Sequence, residues 1–539
     1  MTPAGQFLAA LAALAAPLGA QVTEIAAPRI AAHVRFLASD LLEGRGVGVR
    51  GGDLATEYLA AQFALAGLKP AGDHGSYFQR VPLVGVSIEG KTAKLEMVRA
   101  TDRVGFRWQE DFVGAGQRQR PEETIEAEAV FVGHGITAPE FGWDDYRNVD
   151  VRGKVVVLFT NEPESTEERF FGGKALTYYG RWTYKFEQAA RKGAIACLII
   201  HTTPTAGYGW SVVRNSWGKE EQQMRAEGQP ALALAGWVTK AAGEQLLAST
   251  GKTVDEWVTA AGQRGFTPVP LGIRIAARFT SRIRPIESRN VIGIVEGADP
   301  HLKDQAVLFT AHWDHLGIGP AVNGDAIYNG AVDNATGCGM LLEIARAWAQ
   351  LAHKPRRSAI FLSVTAEESG LRGSEYYAAH PVLPLGKHAV NLNFDGYFPF
   401  GRTRDVVLTG ASRTTIWPVV EDIARRFQLD ITPEARPEQG FYYRSDHFSL
   451  ARAGVPAFSI AMGTRLRSGA DGDEFFLQYN AQNYHQPSDE VRPDWDFSGM
   501  EELARFGMAL GLEIANQEKL PTWVEGDEFL PARQASGVR

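Results

Sequence analysis

Cysteine is nearly absent: Cys197 and Cys338 are the only two in 539 residues. So small a number excludes a disulfide framework, and the fold must rest on its buried core. Cys197 lies in the apolar run GAIACLII and Cys338 opens a helical pattern, so both read as buried free thiols. Beyond the N-terminus no uninterrupted apolar run reaches about 18 residues, so no membrane-spanning helix is expected there. Blocks of lysine and arginine are also missing, and the net charge is −8. Together these argue against a nucleic-acid partner. Neither an internal repeat nor a low-complexity tract is present.

What remains is ordinary globular material, with 45% apolar and 22% charged residues. The length predicts about two or three domains. The first residues read MTPAGQFLAALAALAAPLGAQ. Their apolar stretch, Phe7 to Ala20, is too short to span a bilayer and ends in small residues, though it lacks Lys or Arg before it. Residues 1–20 therefore read as a secretory signal cut after Ala20. The mature protein is expected in the periplasm or outside the cell, without stable membrane insertion. Residues 24–70 carry two helical patterns, separated by GRGVGVRGG. No strand precedes those glycines and their spacing does not fit a dinucleotide fingerprint, so they read as a turn.

Residues 127–275 read as a self-contained, β-rich unit with the strand runs AVFVGHGI, KVVVLFTN and AIACLIIH. Residues 21–126 and 276–520 flank it, and the polar stretch 521–539 reads as a surface tail. From Asn290 onward strands and helices alternate, which predicts a mostly parallel sheet covered by helices.

Metal-type residues are scattered through this last segment. His312 and Asp314 follow AVLFTA, Glu367 and Glu368 follow SAIFLSV, and Asp395 follows HAVNLNF; Asp333 and His485 lie in GAVDNATG and YHQPSDE. Ligands of an open α/β sheet gather beyond the carboxyl ends of its strands. Imidazoles and carboxylates without thiolate suit divalent, zinc-like ions. Each residue alone has a plain alternative, such as a helix cap for Asp333 or a loop histidine for His485. Their joint occurrence at strand ends makes those alternatives unattractive.

The segments TAHWDHLG, NGAVDNATGCGMLLEIARA, TAEESGLRGSEYY, NLNFDGY, YYRSDHFSLARAGVPAF and YHQPSDE resemble the co-catalytic zinc aminopeptidase family, whose relatives include glutamate carboxypeptidase and the glutaminyl cyclases. The resemblance implies an α/β fold, a mostly parallel mixed sheet flanked by helices, with an inserted β-rich protease-associated domain. It implies two zinc ions and a peptide substrate. His312 and Asp395 match ligands of one ion, Glu368 and His485 match ligands of the other, and Asp333 matches the bridging carboxylate. Glu367 matches the general base and Asp314 the partner that fixes the His312 tautomer. Tyr442 matches an oxyanion donor, with Tyr443 as its competitor. A cis peptide is implied at Asp333-Asn334. The insert carries no candidate ligand, so zinc binding is expected to be independent of it.

Removal of N-terminal residues is the expected reaction. A glutaminyl cyclase-like acyltransferase with one zinc, a carboxypeptidase for acidic peptides and an inert receptor-like relative are the alternatives. The carboxypeptidase needs a cationic pocket, for which Arg444, Arg465 and Arg467 lie in suitable loops.

Overall fold

The runs AVLFTAH, SAIFLSV and HAVNLN form three adjacent parallel strands, Ala306–His312, Ser358–Val364 and His388–Asn393. They do so in a computed structural model that describes residues 24–167, 169–226 and 228–538. The expected signal segment lies outside the described residues. Every residue of the three strands is buried, as a sheet covered on both faces requires. Ala457–Ser459 adds a parallel edge beside His388–Asn393. On the other side, Ser358–Val364 pairs antiparallel with the end of a 27-residue strand, Val269–Val295. That strand in turn pairs antiparallel with Phe78–Ile88.

Helices Ala27–Leu37, Arg50–Leu65, Thr336–Ala349 and Ser498–Asn516 share one core with this sheet. Phe309 and Phe361 stack at its centre with ring centroids 5.1 Å apart, and Phe63 from the N-terminal segment packs on Phe361. Arg45, from the glycine-rich turn, is buried and donates to the carbonyls of Leu37, Trp313, Asn329 and Gly330. A guanidinium bonded to four carbonyls fastens the turn to the segments around Trp313 and Gly330. Residues 521–538 of the segment expected as a surface tail are anchored by buried side chains. Trp523 and Phe529 are buried against Tyr442 and Phe448, and Arg533 donates to the carbonyls of Pro521 and Leu385.

A second sheet is built on the first half of the same long strand. It continues through Glu122–Phe131, Val155–Phe159, Ala196–Ile200 and Leu234–Val238, which are mutually parallel, and closes with antiparallel Phe112–Ala115. Helices such as Trp182–Arg191 and Lys240–Leu247 accompany it, so the unit is α/β at its centre. Lys94–Arg99 pairs with Arg274–Arg278 in this sheet, and Asp102–Phe106 pairs with Lys94–Arg99. A boundary at residue 127 would cut through those pairings. The boundary expected after residue 275 falls inside the unbroken strand Val269–Val295, where Ile275 pairs with Met97 on one side and Ala127 on the other. Two units that share a strand have no flexible linker at that point. Glu221–Met224 leaves the second unit and pairs with Leu83–Val86 of the first sheet.

Candidate metal centre

Parallel register brings the scattered residues together. His312 ends its strand, Glu367 and Glu368 follow Val364, and Asp395 follows Asn393, all at the same edge of adjacent strands. Asp333 sits in the kinked turn Ala331–Ala335 that opens helix Thr336–Ala349, and its peptide bond to Asn334 is cis, as the resemblance implied. Gly330 begins this turn with φ +59°; a Cβ there would stand 2.3 Å from the Asp333 carbonyl oxygen and 2.4 Å from His315 Cγ. Only glycine fits. The carboxylate of Asp489 holds the turn, accepting from the backbone N–H of Val332 at 3.0 Å and of Asp333 at 3.2 Å, and from Tyr479 Oη at 2.9 Å. His485 and Ala366, both beside the site, adopt φ of +56° and +52°. Side chains rarely occupy that region, and residues held there cluster at functional sites.

Two sets of donors share Asp333. His312 Nε2 lies 3.2 Å from Asp333 Oδ1 and 3.2 Å from Asp395 Oδ1. His485 Nε2 lies 3.3 Å from Asp333 Oδ2 and 3.0 Å from Glu368 Oε2. His315, not singled out in the sequence although it stands in HWDHLG, places Nδ1 2.6 Å from Glu368 Oε1. That contact lacks hydrogen-bond geometry, and both ring nitrogens of His315, His485 Nε2 and Glu368 Oε1 are sealed from solvent without a hydrogen-bond partner. Donor atoms of His312, Asp333 and Asp395 fall within 4.8 Å of one another, as do those of His315, Asp333 and Glu368. Imidazole and carboxylate donors at this density fit two divalent cations sharing one carboxylate.

The electrostatics have the same sense. Burial opposes protonation of His312, but Asp395, Glu367 and Asp333 outweigh it and its pKa stands well above the usual histidine range. Burial is also overcome at His485, which Glu368 and Asp333 raise to about 9. Burial would raise Asp333, yet the imidazoles of His312 and His485 beside it hold it well below the ordinary carboxylate range. Glu368 is likewise depressed against burial, chiefly by His485. Carboxylates that attract protons onto neighbouring imidazoles attract a cation for the same reason. Glu367 goes the other way: burial lifts it well above the usual range, His312 opposes, and Asp395 and Glu368 add to the rise. One glutamate of the adjacent pair thus stays anionic while the other can carry a proton.

Asp314 is fully buried, and its role differs from the expectation. Its carboxylate accepts from the backbone N–H of Glu367 at 3.2 Å and Glu368 at 3.4 Å, fixing the glutamate loop. Its carboxylate stays 4.0 Å from His312 Nδ1, whereas its own backbone carbonyl accepts from that nitrogen at 3.1 Å. The tautomer contact is therefore main-chain. Tyr442 does not reach the site. Its hydroxyl donates to the Ala457 carbonyl at 3.1 Å, because the ring is drawn into the cluster of Tyr443, His447 and Phe529. Tyr443 donates to Glu528 at 3.0 Å. Tyr484 lies beside the centre: its ring packs 4.0 Å from that of His485, and it lines a cavity of about 860 Å³ with Glu367, Glu368 and His485. Burial raises its pKa, with Asp333, Glu368 and Glu367 contributing and Arg444 opposing.

The inserted unit contributes directly. Ser216 Oγ lies 3.1 Å from His485 Nδ1, Asn215 Nδ2 donates to the His485 carbonyl at 3.2 Å, and Lys219 Nζ donates to the Leu316 carbonyl at 2.9 Å. A unit without candidate ligands therefore positions one, which sequence spacing could not reveal. Of the three arginines proposed for a cationic pocket, Arg465 pairs with Asp405 and Asp430 and Arg467 with Glu502, while Arg444 lines the cavity.

Comparison with known proteins finds aminopeptidases among the similar proteins. Aminopeptidase NAALADL1 of Rattus norvegicus is 34% identical over 155 residues, 26% of this chain and 19% of the relative. The "probable leucine aminopeptidase 2" of Aspergillus oryzae (strain ATCC 42149 / RIB 40) is 36% identical over 213 residues, 38% of this chain and 40% of the relative. The match thus spans less than half the length of these curated relatives. The solved structure of the aminopeptidase from Aneurinibacillus sp. strain AM-1 has the same fold, with a TM-score of 0.55 at 18% identity over 94% of this chain and 97% of that one. Residues 290–505, which hold every candidate ligand, match the model of peptidase family M28, in line with the resemblance carried by the motifs.

Proposed function

We propose that this chain is a di-zinc exopeptidase, an aminopeptidase that removes N-terminal residues from peptides in the periplasm or outside the cell. The carrying observation is the pair of donor sets sharing Asp333, with the non-ligand Glu367 beside Glu368 and His485 on the wall of one cavity. His312, Asp333 and Asp395 would hold one zinc, and Asp333, Glu368 and His485 the other. Bound there, zinc supplies Lewis acidity and makes water a nucleophile near neutral pH. Glu367, raised by burial, takes the proton of the attacking water and returns it to the leaving amine. Tyr484 takes the donor role first considered for Tyr442, directing its hydroxyl to the oxyanion that develops on the scissile carbonyl. The insert, read as a protease-associated domain, walls the cavity with Tyr208 and Trp217 and so favours short peptides and free ends. A second complete donor set at His312 and Asp395 favours this reading over a single-zinc acyltransferase. Among the described residues no helix is long and apolar enough to cross a membrane.

Aminoacyl and N-blocked peptides assayed with and without zinc test the reaction. Glu367→Gln should keep its zinc and lose about 10²- to 10⁴-fold in rate. Glu368→Gln should lose zinc instead. Elemental analysis giving the opposite pattern, or turnover of N-blocked but not free-amine peptides, would overturn the assignment.

A further inference from the structure

Among the described residues six arginines line the cavity, and four of them are accounted for. Arg191 and Arg452 lie 3.5 Å and 4.0 Å from Glu187, Arg372 lies 3.2 Å from Glu375, and Arg225 is exposed to water. Arg181 and Arg444 have no carboxylate within 4.0 Å among the described residues. Arg181 comes from the insert, at the start of helix Trp182–Arg191, and Arg444 from the catalytic domain. Arg181 Nε is sealed from solvent without a hydrogen-bond partner. The Arg444 guanidinium stands 5.3 Å from the ring centroid of Tyr208 and 5.0 Å from that of Phe441, which hold it in place without neutralising it. Both side chains line one cavity, and their charges oppose each other there: burial lowers Arg181 to about 10, and Arg444 pushes the same way. Glu434 feels Arg444 but stands beyond ion-pair distance and does not line the cavity. Tyr484, Glu367, Glu368 and His485 line the same cavity, so the two arginines share it with the edge of the metal centre.

Two like charges, drawn together and partly desolvated without a counterion, destabilise a fold. They fit a guest that brings the missing charge, and paired guanidinium groups match carboxylate geometry. We propose that Arg181 and Arg444 form an anion subsite that receives a carboxylate of the substrate peptide, supplied by the C-terminus of a very short peptide or by an acidic side chain. This deepens, and rests on, the peptidase reading of the adjoining metal centre.

The test compares kcat/KM within matched pairs on the zinc-loaded full chain: Leu-Ala against Leu-Ala-NH2, and Leu-Glu-NH2 against Leu-Gln-NH2. The first pair reads the α-carboxylate and the second the side chain. At least one pair should favour the acid by about tenfold or more, the worth of a charge-assisted hydrogen bond. In Arg181→Met and Arg444→Met that ratio should collapse toward unity. Equal values within both pairs for the parent protein would overturn the subsite while leaving the peptidase reading intact. Equilibrium dialysis of Leu-Glu against zinc-free protein reads the subsite without turnover. Arginine-dependent binding there, with no cleavage of any free-amine peptide, would reject the peptidase reading and uphold the anion site. Arg181→Met should melt no lower than the parent, since it removes an unpaired buried cation. A clearly lower melting temperature would make Arg181 structural and overturn the proposal.

Discussion

Replacing Ser216 by alanine tests whether the inserted unit helps build the metal centre. Ser216 Oγ is 3.1 Å from His485 Nδ1, and the serine is only half-buried. One such hydrogen bond is worth about 0.5–1.5 kcal/mol, and partial exposure lets water replace some of it. At about 1.4 kcal/mol per factor of ten, zinc affinity should fall about two- to tenfold. The double variant Asn215→Ala with Ser216→Ala also removes the donor to the His485 carbonyl, 3.2 Å away. His485 would then keep its φ of +56° with neither ring nor backbone anchored from the insert. The loss should reach about 10- to 100-fold, the usual cost of stripping the partners from a metal-binding histidine. Competition with a chromophoric chelator measures the affinity, and circular dichroism confirms that the fold persists. If both variants bound zinc as the parent does, the insert would not position His485, and the two units would be energetically separate at this point.

Two further outcomes follow from buried geometry. His388 is fully buried, with Nδ1 donating to the Pro384 carbonyl at 3.3 Å and Nε2 accepting from Tyr377 Oη at 2.9 Å, and burial lowers its pKa to about 4. Its folded value lies below the unfolded one, so its contribution is complete above about pH 6.5 and is lost as pH falls toward 4, by about 3 kcal/mol. Urea midpoints measured through that range should show a shallower acid decline in His388→Gln than in the parent; equal slopes would exclude His388 as the source. Gly330→Ala should lower stability by about 1–3 kcal/mol and reduce zinc content, because its Cβ would meet the Asp333 carbonyl oxygen at 2.3 Å. A variant with unchanged melting temperature and full metal content would contradict that.

His312, Glu367, Glu368 and Asp395 were legible because each closely follows a buried strand, and parallel neighbours bring such positions to one edge. Asp333 and His485 lacked that signal and were found through motif context. Tyr442 was misjudged for a physical reason. GFYYRSDH places two tyrosines near the site, but ring direction is set by what packs around them, and Phe529 and Ala457 draw Tyr442 away. Tyr484, adjacent to His485 in sequence, was overlooked because its neighbour explained the motif.

The sequence by itself determined the alternation of strands and helices after Asn290, the identities of the carboxylates and imidazoles, and the absence of a disulfide framework. Those follow from local periodicity and side-chain chemistry, which need no partner. Tertiary structure alone decided that one strand serves two sheets, that Ser216 and Asn215 reach His485 from 269 and 270 residues away, and that Arg181 and Arg444 line one cavity with no carboxylate in ion-pair range among the described residues. Pairing register and packing across distant segments set these contacts, and neither leaves a periodic trace in the chain.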